Sequence, residues 1–174
     1  MPYKREILTE GHPVLRRIAK RVAAHELADP LFAQLIDDMF LTMYEAPGVG
    51  LAAPQVGVSK RLFVIDVKDE EHEPAVLINP KIVTAEEEIE LTEGCLSIPG
   101  FVGEITRFSR VTVAGLDRHG KKIALRGEGV FAQCLQHEID HLDGRLYKDS
   151  ARNLRSSTPA EGDGEEGEEE AAES

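Results

Sequence analysis

An apolar segment in the C-terminal third of the chain carries two histidines, His137 and His141, at a spacing of four residues. Residues 130–142 have the apolar periodicity of a packed helix, and Gly144 follows at the position where helices commonly end. On a helix, residues four apart lie on one face with Cβ atoms ~6 Å apart, so both imidazoles can reach the same ion. The segment therefore predicts a C-terminal metal-binding helix.

A glutamate stands directly after the first histidine, in the sequence His137-Glu138-Ile139-Asp140-His141. A carboxylate at this position borders the ion without having to bind it, and it can take the proton of a metal-bound water. A hydrolytic metal site needs three protein ligands and one open position. We therefore predict that Glu138 is a general base and that a third ligand comes from elsewhere in the chain.

Neither of the two protease extensions of this motif supplies the third ligand. One extension requires a histidine where this chain has Tyr147. The other requires a glutamate from a later helix, but the later glutamates lie in the acidic C-terminal segment, for which no helix is predicted. Cys134 lies on the same helix, ~7 Å along the axis from an ion held between the histidines, which is beyond the reach of its thiolate. Cys95 can approach from the side, because Gly94 permits close backbone approach. We predict that Cys95 is the third ligand and that Cys134 is a pocket or core residue.

Helical and strand-like patterns are segregated along the chain. Residues 13–22 and 29–45 predict helices, with Asp29 as the cap of the second and Pro30 at its first helical position. A Gly-rich loop is predicted at residues 47–57. Strands are predicted at 61–67, 75–83, 110–116 and 121–125, the last two joined by a hairpin turn. This order predicts an α+β fold with mainly antiparallel sheets packed around the C-terminal metal-binding helix, and with N-terminal helices.

Charge is distributed unevenly along the sequence. Residues 157–174 contain eight acidic residues and no Lys or Arg, whereas the rest of the chain has 24 acids against 20 bases. A segment so poor in apolar residues cannot bury enough surface to fold. We therefore predict one catalytic metallohydrolase domain at residues 1–155 and an acidic, disordered tail at 156–174. The body of the chain has no basic footprint, so direct DNA binding is not expected.

The sequence also indicates the compartment. No segment approaches the ~20 apolar residues needed to cross a bilayer, and the N-terminus lacks the apolar core of a signal peptide. Two cysteines are too few for a disulfide framework. We expect a cytoplasmic protein with no membrane partner.

Three segments, taken together, resemble one family. They are GVGLAAPQVG at residues 48–57, EGCLSIPG at 93–100 and QHEIDHLDG at 136–144. In order and spacing they are similar to the bacterial peptide deformylases, which remove the formyl group from the starting methionine of new proteins. The similarity extends over about residues 3–150. It implies hydrolysis of the formamide C–N bond of N-formylmethionyl nascent peptides by a metal-bound water, with Glu138 as general base.

The resemblance also implies a cofactor and further site residues. The cofactor is one divalent metal ion, with Fe²⁺ as the physiological metal, although Zn²⁺, Ni²⁺ or Co²⁺ suit the same ligands. The side chain of Gln55 and the backbone N–H of Leu96 would stabilise the oxyanion, and the backbone of Gly50 would align the peptide. The methionine pocket would include Val49, Leu91, Val130 and Cys134. Ordinary core packing is the other interpretation of these four residues.

Two departures from the family pattern bear on partners. Some members carry an arginine seven residues after the ligand cysteine, where this chain has Val102, so contacts beyond the methionine are not predicted. Better-known bacterial members end in a basic helix that docks on the ribosome, whereas this chain ends in acidic residues. Ribosome docking by that route is not expected, because ribosomal RNA would repel the acidic segment.

Two other functions remain open from the residues themselves. One is a metallo-endopeptidase of the His-Glu-x-x-His type, which would cleave unformylated protein. The other is a non-catalytic metal-binding or peptide-binding module, in which Glu138→Gln would leave function unchanged.

Overall fold

The computed structural model describes residues 1–157, and the predicted tail beyond Ser157 lies outside the described residues. Helix α1 spans Pro30–Glu45 and helix α2 spans Gly129–Leu142. Asp29 caps α1 by accepting a hydrogen bond from the Leu31 N–H at 2.9 Å, and Pro30 begins the helix, as its capping sequence predicts.

Six strands form one antiparallel sheet. They are β1 (Gly50–Ala52), β2 (Leu62–Ile65), β3 (Ala75–Cys95), β4 (Ile98–Leu116), β5 (Lys122–Glu128) and β6 (Arg152–Ser156). The first five pair in chain order, and β6 pairs with β4. The predicted α+β class with a mainly antiparallel sheet is confirmed.

The sheet is covered by the two helices on opposite faces. Leu62, Val64, Val76 and Ile78 pack with the apolar side of α1, whereas Phe63, Ile65 and Leu77 pack with that of α2. Successive residues of a strand point to opposite faces, so a strand covered on both sides must be apolar throughout. This explains the uninterrupted apolar run of β2, all four residues of which are buried.

Two local predictions are wrong. The helix predicted at residues 13–22 is only a single 3-10 turn, Pro13–Arg16. The chain beyond it is extended because Ala19 N–H donates to Leu142 O at 2.8 Å and Lys20 pairs with Lys60. The Gly-rich segment 47–57 was predicted as a loop, but it contains strand β1, held by antiparallel pairing with β2. In both places tertiary contacts override the local pattern.

The β3–β4 hairpin is longer than the sequence predicts. Its strands pair from Ile78↔Leu116 to Cys95↔Ile98, and only Leu96 and Ser97 form the turn. Register shifts interrupt the pairing between Gly94 and Cys95. The hairpin therefore carries Cys95 to its tip, beside helix α2. None of the helices in residues 1–157 is both long and apolar enough to cross a membrane.

Candidate active site

Three buried side chains from two elements converge on one point. Cys95 ends strand β3, whereas His137 and His141 lie one turn apart on α2. Cys95 Sγ lies 3.4 Å from His141 Nε2, and the two histidine Nε2 atoms are 3.1 Å apart. All three side chains are at most 2% exposed. The three residues that the sequence predicts as ligands are therefore brought together.

The donor set fits a divalent metal ion. With bonds of ~2.0 Å to nitrogen and ~2.3 Å to sulfur, tetrahedral geometry separates two nitrogens by ~3.3 Å and a nitrogen from a sulfur by ~3.5 Å. The observed 3.1 and 3.4 Å are close to these values. To bind one ion through both Nε2 atoms, the two imidazoles must be neutral and carry their protons on Nδ1. A soft thiolate with two imidazoles suits Fe²⁺, Zn²⁺, Co²⁺ or Ni²⁺ better than Mg²⁺ or Ca²⁺.

A carboxylate behind the site orients the first histidine. Glu93 Oε2 accepts a hydrogen bond from His137 Nδ1 at 2.6 Å, which leaves the Nε2 lone pair directed towards the other donors. Burial raises the pKa of Glu93, but the hydrogen bonds from His137 and Arg107 and the charge of Arg107 outweigh it, so the pKa lies below its usual value. Glu93 is therefore ionised at neutral pH.

Arg107 joins the two elements that form the site. Its guanidinium donates to both oxygens of Glu93, at 3.0 and 2.7 Å, and to Asp140 of α2 at 2.7 Å. Desolvation lowers the pKa of Arg107, but the two carboxylates raise it above its usual value, so the arginine stays charged although it is only 7% exposed. Neither Glu93 nor Arg107 was predicted as a site residue. Glu93 stands two residues before Cys95 on a strand, which was the available signal that both side chains share a face.

Glu138 is fully buried beside strand β1. A Cβ atom added to Gly50 would lie 2.5 Å from Glu138 Oε1 and 2.8 Å from Cys134 Sγ. The backbone of β1 thus approaches the carboxylate so closely that any side chain at residue 50 would have to displace Glu138 or Cys134. Cys134 also lies 3.7 Å from Val49 O, and burial raises the pKa of its thiol well above the usual value. Cys134 therefore lies between Val49 and Glu138, and its role as a pocket residue stays a prediction.

Gln55 and Leu96 border the cysteine. Gln55 Oε1 accepts a hydrogen bond from Ala52 N–H at 2.9 Å, which directs Nε2 towards Ser97 Oγ at 3.1 Å and Cys95 Sγ at 3.8 Å. Leu96 occupies the first turn position of the β3–β4 hairpin. Cys95 and Leu96 also line a cleft of about 470 Å³ that reaches the surface between residues 4–7 and Pro99–Gly100.

The predicted methionine-pocket residues differ in exposure. Val49 and Leu91 are half-buried, Cys134 is buried, and Val130 is 51% exposed at the first turn of α2. Val130 is therefore not a core residue. Val102, which replaces the arginine of some relatives, is only 7% exposed. Tyr147, at the position where a metallo-endopeptidase of this type has its third histidine, is buried with its ring centroid 6.2 Å from that of His137.

A buried Cys-His-His donor set beside a carboxylate, on an α+β fold, defines the chain as a metal-dependent hydrolase. The sequence model of the polypeptide deformylase family matches residues 4–157. A peptide deformylase of Symbiobacterium thermophilum is 54% identical over 94% of this chain and 73% of its own length. The chain belongs to the polypeptide deformylase family and is a deformylase enzyme, as its three motifs predict.

Solved structures agree with this assignment. A peptide deformylase from Legionella pneumophila has a TM-score of 0.81 at 49% identity, covering 86% of this chain and 87% of that one. A class I type b deformylase from Acinetobacter baumannii, solved with Met-Ala-Ser bound, has a TM-score of 0.82 at 34% identity, covering 86% of this chain and 99% of that one. The family uses a catalytic metal, and the Cys-His-His site for it is present here.

Proposed function

We propose that the chain removes the formyl group from N-formylmethionyl nascent peptides in the cytoplasm, with Cys95, His137 and His141 holding one metal ion. The observation that carries this proposal is the convergence of one thiol and two imidazoles beside the buried Glu138. We propose Fe²⁺ as the physiological metal, as the resemblance implies. Zn²⁺, Ni²⁺ and Co²⁺ suit the same donors.

Glu138 acts as the general base. A divalent cation held by three protein ligands supplies Lewis-acid activation of water near neutral pH. Glu138 takes the proton of the attacking water and then gives it to the amine nitrogen as the C–N bond breaks. The close approach of Gly50 to Glu138 Oε1 keeps the carboxylate in one position. Orienting the carboxylate therefore adds little to the activation free energy.

Gln55 and Leu96 stabilise the charge that develops on the formyl oxygen. The hydrogen bond from Ala52 N–H to Gln55 Oε1 leaves the Nε2 protons to donate into the site. The backbone N–H of Leu96 is the second donor. A fixed donor of this kind typically contributes about 10²–10³ in rate, because it is already oriented when the charge appears.

The peptide lies along β1, with the backbone of Gly50 aligning it. The methionine side chain enters a pocket formed by Val49, Leu91, Val130 and Cys134. The bound Met-Ala-Ser in the Acinetobacter baumannii enzyme supports a methionyl peptide as the ligand of this fold. The substrate reaches the enzyme as a nascent chain.

Glu138→Gln tests the proposal. Because glutamine keeps the shape of glutamate but cannot accept the proton, we expect kcat for formyl-Met-Ala-Ser to fall by about 10³-fold, with metal still bound. Formate release and metal content are measured on the same anaerobic preparation. Glu128→Gln is the control, since Glu128 is exposed and precedes α2 without capping it by its side chain. An active Glu138→Gln variant would show that another group is the base.

A further inference from the structure

Eight basic residues lie on three segments that meet at the C-terminal end of α2, outside the active site. Because they are far apart in the sequence, no basic footprint was predicted from it, and the fold brings them together. We call them the basic surface: Arg16, Arg17, Lys20, Arg21, Lys60, Arg61, Arg145 and Lys148. Three segments meet there. Ala19 N–H donates to Leu142 O, Arg61 N–H donates to Lys20 O, and a Cβ on Gly144 would lie 2.6 Å from Arg16 O.

Half of these cations have no acidic partner in the part of the chain that the structure describes. Four ion pairs are formed, Arg16–Asp149, Lys60–Glu26, Arg61–Asp143 and Lys148–Glu10. Arg17, Lys20, Arg21 and Arg145 are exposed and form no ion pair within residues 1–157. The surface with its four acids thus carries four uncompensated positive charges, although residues 1–157 as a whole have a formal charge of −4.

The helix dipole explains only a small part of this cluster. Cations are favoured within the last turn of a helix, where carbonyl groups lack partners. Leu142 O, however, already accepts hydrogen bonds from Ala19 N–H and from the Arg61 guanidinium at 2.9 Å. The four unpaired cations therefore need another explanation.

The same chain carries a segment of opposite charge that the deformylase site does not use. Residues 158–174 contain eight acidic residues and no Lys or Arg. The last described residue before this segment is Ser157, whose N–H donates to Gly100 O at 2.9 Å. Ser157 lies eight positions after Asp149, which contacts Arg16, so the segment begins within ~29 Å of the basic surface. Seventeen further residues can span up to ~60 Å when extended. The surface is within reach.

We propose that the acidic segment 158–174 binds the basic surface of its own molecule. A single exposed ion pair contributes little, but many charges that share one chain meet at a high effective concentration. The contact is therefore multivalent and salt-sensitive, and it covers a surface to which phosphate-bearing polymers such as RNA would otherwise bind. This contact takes no part in the reaction mechanism. It determines whether other polyanions can reach the basic surface.

Carbodiimide cross-linking of the full-length protein tests it. The reagent joins a carboxylate to a lysine amine with loss of water, so it records only groups in direct contact. Trypsin releases residues 156–174 as one peptide, because it contains no Lys or Arg. In the monomer fraction we expect this peptide to be joined mainly to Lys20, Lys60 and Lys148. The yield should be at least about fivefold lower in 0.5 M salt, where charges are screened. Links spread evenly over Lys81, Lys121 and Lys122, or found only in covalent dimers, would overturn the proposal.

Two variants complete the test. Arg17→Glu/Arg21→Glu/Arg145→Glu should reduce the Lys20 link about fivefold or more, whereas the matched control Lys121→Glu/Lys122→Glu/Arg126→Glu, on and beside β5, should leave it unchanged. Formyl-peptide turnover and thermal melting check that both fold. A full-length variant with the eight tail acids changed to Gln or Asn should bind a 20-nucleotide single-stranded RNA about tenfold more tightly than the parent. Equal RNA affinity would show that the tail does not cover the surface.

Discussion

Helix α2 and the β3–β4 hairpin both build the metal site, but they do so over very different lengths of chain. Helix α2 supplies His137, Glu138 and His141 from successive turns. The hairpin supplies Cys95 from its tip and, 14 residues apart on paired strands, Glu93 and Arg107. The geometry of the helical part is set by the helix itself, whereas that of the hairpin part depends on strand register. Substitutions in the hairpin should therefore change metal binding or activity, while the positions of His137, Glu138 and His141 on α2 stay the same.

The two cysteines, one in each region, give the largest expected difference. Both are 2% exposed, so Cys95→Ser and Cys134→Ser are matched in burial and in chemistry. A serine hydroxyl is not deprotonated near neutral pH and is a poor ligand for a soft site, so Cys95→Ser should lose nearly all bound metal. Cys134→Ser should keep about one ion per chain, because Cys134 forms the wall beside Gly50. Metal analysis after anaerobic purification decides between them. Loss of metal in both variants would mean that Cys134 also supports the site.

Gly50→Ala tests the close contact between β1 and α2. The added Cβ, 2.5 Å from Glu138 Oε1, must displace the carboxylate, and a displacement of ~1 Å can cost about 10² in rate. We expect kcat to fall about 100-fold while the metal content stays the same. Gly103→Ala is the control, because its Cβ would meet Ala151 and Arg152 at 3.1 Å, away from Glu138. If Gly50→Ala kept full kcat, the position of Glu138 would not be set by β1.

The difference between the helix and the hairpin also decides which parts of the site could be predicted from the sequence. His137 and His141 could be predicted because a spacing of four residues on a helix places two side chains on the same face. Cys95 was predicted as a ligand by elimination, since the sequence has only two cysteines and Cys134 lies too far along the helix. Glu93 and Arg107 were not assigned, because their meeting depends on the register Glu93↔Gly103 and on packing against α2, and neither is encoded in a short pattern. Strand β1 was missed for a related reason, since its pairing with β2 is a tertiary contact.

Comparing Glu93→Gln with Asp140→Asn tests how the hairpin influences metal binding by α2. The influence passes either through the Glu93–His137 hydrogen bond or through Arg107. Both carboxylates bind Arg107, but only Glu93 also accepts the hydrogen bond from His137 Nδ1. An amide at residue 93 is a weaker acceptor, so metal affinity should fall by about 10–100-fold, as is usual when a partner of a metal-bound histidine is lost. Asp140→Asn leaves that hydrogen bond in place, and its side chain is 24% exposed, so affinity should change less than about threefold.

Competition with a chromophoric chelator, using Co²⁺, measures both affinities, and the visible spectrum of the bound Co²⁺ reports whether the ligand geometry has changed. If the two variants weaken binding equally, Arg107 rather than the Glu93–His137 hydrogen bond transmits the effect. If neither does, the ligands are held by the packing of the hairpin tip against α2 alone. The expected result, with Glu93→Gln much the weaker binder, would show that the hairpin contributes an oriented histidine as well as a thiolate. Glu93 of the hairpin would then set the metal affinity of His137, although His137 is placed by helix α2.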